Sequence, residues 1–238
     1  MATAAGAGGA GDTMTGYNFN EMSGLGNEIN TIVKATEKDI QASIDADICE
    51  PMAKLWFAPE AKQFFQEFGK TVEESGNQVE KAFETFLKNV ELAQDKWSEK
   101  TGGGRKGYLG SVPNCKLKVN VSMFKESDGG NVVLYERQAI SYADGLKAVQ
   151  DSLTKKIEGH KGELTKAVTS FLGDGQGEAV NKCFDGVLTA VGTIFDYLSV
   201  GDNSLAGQIK KAAETYKKMA EEVKTGMENA ASSSGSSE

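Results

Sequence analysis

The sequence predicts a mainly α protein: an antiparallel, four-helix-bundle-like pair of helical hairpins with a small inserted β-hairpin. Three observations predict it. Apolar residues recur at steps of three and four along several long stretches, which is the helical period. These stretches come in pairs, each pair divided by one short break rich in Pro or Gly. Between the pairs the period changes to two.

The chain opens with MATAAGAGGAGDTMTG, a run with little to bury, so residues 1–26 read as a flexible tail. The run lacks the basic start and apolar core of a secretion signal, and it has no arginine of a transit peptide. The first hairpin is assigned to 27–101. Its first stripe is Ile29, Ile32, Val33, Thr36, Ile40, Ile44, Ile48, Met52 and Leu55, with Glu37, Lys38, Asp39 and Gln41 off it. Pro51 and Pro59 flank a break at ICEPMAKLWFAPEAKQFF, Ile48 to Phe65. A second stripe then runs through Phe65, Phe68, Val72, Gly76, Val79, Phe83, Phe86, Val90 and Trp97. The helix carrying it extends from about Glu60 to Lys100, about 60 Å at 1.5 Å per residue.

Residues 102–138 read as a linker and β-hairpin. KLKVNVSMF (Lys116 to Phe124) alternates apolar and polar, ESDGG supplies a turn, and NVVLYERQ is the returning strand. Such a hairpin is marginal alone, so it must dock. The second helical hairpin, 139–228, carries Tyr142, Leu146, Val149, Leu153, Ile157, Leu164, Val168 and Phe171 before a glycine-rich turn at Gly173, Asp174, Gly175 and Gly177. Val180, Cys183, Phe184, Val187, Val191, Ile194, Phe195 and Leu198 follow it. GDNS (Gly201 to Ser204) offers a helix stop and a new N-cap, and a last helix carries Leu205, Ile209, Ala212, Tyr216, Met219 and Val223. Each hairpin has one apolar face and needs a partner, which the other hairpin can supply. Residues 229–238, rich in Ser, read as a disordered tail.

Composition narrows the function classes. The chain has 238 residues, 25% charged and 39% hydrophobic, as in ordinary globular proteins. A net charge of −8, without a cluster of Lys and Arg, argues against nucleic-acid binding. The most apolar window, Val187 to Val200, contains Asp196 and is too short to span a bilayer, which argues against membrane insertion. Three cysteines, Cys49, Cys115 and Cys183, are odd in number and far apart, so they read as buried free thiols and not as disulfides or metal ligands.

No catalytic constellation emerges, and no cofactor, metal or small-molecule substrate is expected. The one histidine, His160, lies on the third stripe. The functional reading is a base or a pH switch; the preferred reading is a histidine at the stripe's edge or at a helix end with its nitrogens satisfied. GDGQGEA opens a helix, where glycines can cradle phosphate. It lacks the P-loop lysine and the preceding strand, so a helix–helix turn accounts for it.

The break itself resembles the WXG family of helical-hairpin proteins, exported by type VII secretion in Gram-positive bacteria and paired as antiparallel four-helix bundles. The resemblance covers about Asn27 to Thr101 and rests on Leu55, Trp56, Phe57, Ala58 and Pro59, then Ala61 and Phe64 or Phe65. Ala58 stands where the family name has glycine, and Pro59 follows it. A proline fixes φ at a helix start, where a glycine only permits the turn. The family's export signal, a tyrosine with an acid four residues on, has no match after the second helix: Trp97 meets Thr101, and Tyr216 in the last helix meets Ala220. Tyr17 and Glu21 have the spacing but lie in the first tail. The resemblance implies a non-enzymatic secreted bundle, a substrate of type VII-like secretion or a carrier for a protein partner. It would be cytoplasmic before export, then secreted or at the cell surface without a cleavable signal. Two other readings compete: a self-assembling structural subunit of a filament, surface layer or virion, and a membrane-active bundle.

Overall fold

The computed structural model describes residues 22–100, 108–172 and 176–234, and most of them are helical. Tyr17 and Glu21, the glycine-rich stretch 102–107, and Gly173, Asp174 and Gly175 of the second turn lie outside the described residues. Helix α1 is Met22–Ala42 and passes into a π-helical stretch, Ser43–Cys49, then α2, Glu50–Ala53. Strand β1 is Trp56–Phe57, and α3 runs Pro59–Lys100. A 3₁₀ turn at Val121–Met123 precedes β2, Val133–Leu134. Four helices complete the chain: α4 Glu136–Asp144, α5 Leu146–Leu172, α6 Gly177–Ser199 and α7 Leu205–Ser234.

Helix α1 starts at Met22, inside the stretch expected to be tail, because Met22, Leu25 and Gly26 are buried. Helix α7 likewise continues to Ser234, into the expected C-terminal tail. The π stretch has two physical causes. Ile40, Ile44, Ile48 and Met52 are spaced by four, and each such step overshoots a full α-helical turn by about 40°. Wider turns bring all four back to the buried side. Pro51 also forbids an ordinary α bond to Asp47 and crowds its carbonyl. The Glu50 N–H instead reaches the Asp45 carbonyl, five residues back.

The described residues form two compact units. The first takes 22–40, 75–100, 108–117, 153–172 and 176–190. Its interior is built by α1 (Leu25, Ile29), α3 (Val79, Phe83), α5 (Ile157, Leu164) and α6 (Phe184, Val187), all buried. Phe83 meets Phe184 edge-on at 5.7 Å. His160 of α5 sits between carboxylates, Nε2 at 2.9 Å from Asp39 Oδ2 and Nδ1 at 3.2 Å from Glu163 Oε2. Both ring nitrogens therefore have partners, as the edge-of-stripe reading requires.

Residues 108–117 run through this unit outside any helix or strand. A Cβ on Gly26 would run into the Leu109 carbonyl, and one on Gly76 would lie 2.9 Å from the Cys115 carbonyl, so only glycine lets the backbone this close. The Cys115 N–H donates to Glu80 Oε2 at 2.9 Å, and the Lys116 N–H to Glu37 Oε1 at 2.8 Å. Cys115 and Leu117 face inward, while Lys116 is exposed.

The second unit takes 41–74, 118–152 and 191–234. Within it the Lys118 N–H donates to Gln41 Oε1, and Gln41 Nε2 donates back to the Lys118 carbonyl, both at 2.9 Å. The expected hairpin partner of Lys116–Phe124 is therefore corrected. That segment has the alternation of a strand, but helix side chains take the hydrogen bonds of Lys116 and Lys118, and its end bonds to itself in the 3₁₀ turn. The turn at Asp128–Asn131 does form, with Gly129 and Gly130 at positive φ. The two-stranded antiparallel sheet pairs Val133–Leu134 with Trp56–Phe57 instead. Helix α4 packs on α7. Gly201, at φ 86°, ends the turn after α6, and the Ser204 hydroxyl accepts the Gly207 N–H at 3.3 Å to cap α7, as the GDNS motif predicts. Among the described residues no helix is long and apolar enough to cross a membrane.

Candidate functional site

The tryptophan-bearing break lies wholly in the second unit. Its turn closes through Lys54 N–H to the Pro51 carbonyl at 3.2 Å and Leu55 N–H to the Met52 carbonyl at 3.0 Å. Trp56 then pairs with Leu134 and Phe57 with Val133, and the Tyr135 N–H donates to the Leu55 carbonyl at 2.9 Å. Pro59, exposed, opens α3, where a missing N–H costs nothing, and the Ala58 carbonyl accepts the Lys62 N–H. Trp56, Ala58, Ala61, Phe64 and Phe65 are buried; Leu55 and Phe57 are half-buried. All eight motif residues lie in this one stretch of the second unit. Of the second turn, only Gly177 is described; it is the first residue of α6, in the other unit, with open space where a Cβ would stand.

Several partners at the break come from far along the chain. Phe65 stacks face to face on Phe124, centroids 3.9 Å apart. Lys62 binds Glu126 at 2.7 Å. The Tyr216 hydroxyl of α7 donates to Glu60 Oε2 at 3.1 Å. Burial raises the Tyr216 pKa first; the Trp56 N–H nearby acts the other way, and the Glu60 carboxylate raises it again. The indole N–H itself makes no hydrogen bond of good geometry. No local sequence signal marks these partners, since each depends on tertiary contact. Phe124, at a strand-like position, and Tyr216, on an apolar stripe, carried the one hint, and Glu126 in the turn carried none.

Beside the break lies a cleft of about 480 Å³ lined by Glu60, Gln63, Phe64, Glu67, Tyr197, Asn203 and Gln208. Phe64 and Tyr197 form a tilted ring pair at 5.6 Å. Burial, then the Glu67 carboxylate, raises the Tyr197 pKa. Carboxylates, amides and ring faces can hold a polar or cationic group by hydrogen bonds and ring contact. Behind the turn, burial and then Asp45 push the Cys49 thiol up to about 12. Such a thiol is protonated at neutral pH and is no nucleophile. Tyr142, raised by burial and then by Asp47 and Cys49, keeps its hydroxyl buried without a hydrogen bond. Among the described residues no group of His, Cys, Asp and Glu is placed to hold a metal ion. Compared with known proteins, the chain matches no family model, no curated protein and no solved structure.

Proposed function

We propose that this chain is a non-enzymatic helical-hairpin protein of WXG-like type, working by binding another protein as a substrate of type VII-like secretion or as a carrier. One observation carries the reading: a tryptophan is buried at the break between two long amphipathic helices, within a Leu-Trp-Phe-Ala-Pro run that forms a short strand and then opens α3. The test is export. A tagged full-length chain is expressed in a Gram-positive host with and without the ATPase of its type VII apparatus. Appearance in the medium only when the ATPase is present supports the reading; retention in the cells in both strains overturns it.

A second reading, a self-assembling structural subunit, is favoured by a different observation. Met219, Val223 and Met227 are exposed along one face of α7. Flanking genes separate the two readings, since secretion genes favour export and structural phage genes favour assembly.

A further inference from the structure

Helix α7 changes character halfway along. Leu205 and Ile209 are fully buried, whereas every side chain from Lys217 to Asn229 is exposed. An isolated helical stretch of this length is marginal in water, and helices are held mainly by packing an apolar face. This half has such a face. Tyr216, Met219, Val223 and Met227 fall at steps of three and four, and the last three are 56%, 62% and 70% exposed. Single exposed apolar residues need no explanation, but a stripe of them on a bare helix does.

Charge narrows the occupant. Lys217, Lys218 and Lys224 offset Glu221, Glu222 and Glu228, so this stretch is neutral in a chain of net charge −8. A strongly basic or acidic partner would gain nothing from it. A second copy would. Two of the three lysines, Lys217 and Lys218, open the stretch, and Glu228, 3.9 Å from Lys224 of its own helix, lies near its end. Parallel copies would set like turns side by side; antiparallel copies set the Lys217–Lys218 turn beside the turn holding Glu228. Opposed macrodipoles favour the same orientation. The apolar stripe agrees, because Met219 and Met227 lie four residues either side of Val223.

We propose that the exposed half of α7 is a self-association surface, pairing antiparallel with the same half of a second copy about a two-fold axis at Val223. The contact is isologous: Val223 meets its own copy, and Met219 faces the partner copy's Met227. With so few anchors per copy it forms a weak, concentration-dependent dimer. The proposal deepens the structural-subunit reading, which rests on the same stripe, and is independent of the export reading, which its failure would leave untouched.

The test uses the full chain. Sedimentation equilibrium should show dimer rising with concentration, and Val223→Asp should weaken association at least tenfold while far-UV circular dichroism stays close to native. Single cysteines then read the orientation. Val223→Cys should form a disulfide-linked dimer on mild oxidation, whereas Met219→Cys and Met227→Cys should each stay largely uncoupled alone but couple when mixed. A chain that is monomeric at every concentration overturns the proposal. So does a dimer indifferent to Val223→Asp, which would use another surface. Equal coupling at 219, 223 and 227 alone would mean a parallel pair and overturn the antiparallel one.

Discussion

Trp56 loses its water almost completely at the break, yet its indole N–H makes no hydrogen bond of good geometry. Its contribution is therefore packing. Trp56→Ala should cost about 3–5 kcal/mol in urea unfolding, as for a large buried aromatic. Trp56→Phe should cost clearly less, since it keeps much of the ring and removes an unpaired donor. If Trp56→Ala leaves stability unchanged but abolishes assembly, the ring is a partner surface instead. The cysteines make a second prediction. Burial pushes Cys49, Cys115 and Cys183 each up to about 12, with Asp45 adding at Cys49 and Glu37 and Glu80 at Cys115. Raised folded-state values mean that this stability is full below the ordinary thiol value and is lost as pH climbs from about 9 towards 12. The native chain should leave a disulfide reagent unreacted at pH 8 and expose all three thiols in denaturant; rapid native labelling would contradict the burial. The cysteines' burial was legible from their apolar surroundings in the sequence. The unpaired Tyr142 hydroxyl was not, because orphaned polar groups arise only when distant elements close around them.

The long helices were the most legible elements, since a stripe of nine apolar positions over-determines its period. Helix α3 runs Pro59–Lys100 against an expectation of about Glu60 to Lys100. The GDNS stop and cap were legible because two specific residue types sit at the positions the chemistry requires. Lys116–Phe124 misled for a physical reason. Alternation reports which face is buried, as Cys115 and Leu117 are, but not who satisfies the backbone. Here Glu37 and Gln41 do that work from a helix for Lys116 and Lys118, with Glu80 holding Cys115 just before them, and β2 is left to pair with Trp56–Phe57. Two glycines in helix interiors separate close approach from mere helix weakness. Gly26→Ala forces a methyl into the Leu109 carbonyl and should destabilise by about 1–3 kcal/mol. Gly159→Ala in α5 meets open space and should stabilise by about 0.5–1 kcal/mol through helix propensity. Opposite shifts in the urea midpoint at constant slope check both; shifts of the same sign would contradict the close approach of residues 108–117.

At the scale of the whole molecule, neither helical hairpin owns a compact unit. The first unit combines 22–40 and 75–100 with 153–172 and 176–190, and the second combines 41–74 with 118–152 and 191–234. Contacts within each unit join the two hairpins: Phe83 with Phe184, Asp39 with His160, Glu60 with Tyr216 and Phe64 with Tyr197. The sequence supports the need for such a partnership, because each hairpin carries an apolar face it cannot hide. It does not reveal where the compact units divide, since the helical period runs on through Ile40 and Ser75 without a break. The partnership of the hairpins is the central claim, and co-expression of the two halves tests it most directly. Residues 1–104 alone should dimerise through the bared stripe or aggregate, and residues 105–238 made in the same cell, which keep the segment 108–134 and the whole of α4, should restore a soluble complex of one copy of each. A first half that is by itself a well-folded monomer with full helix content would contradict the account.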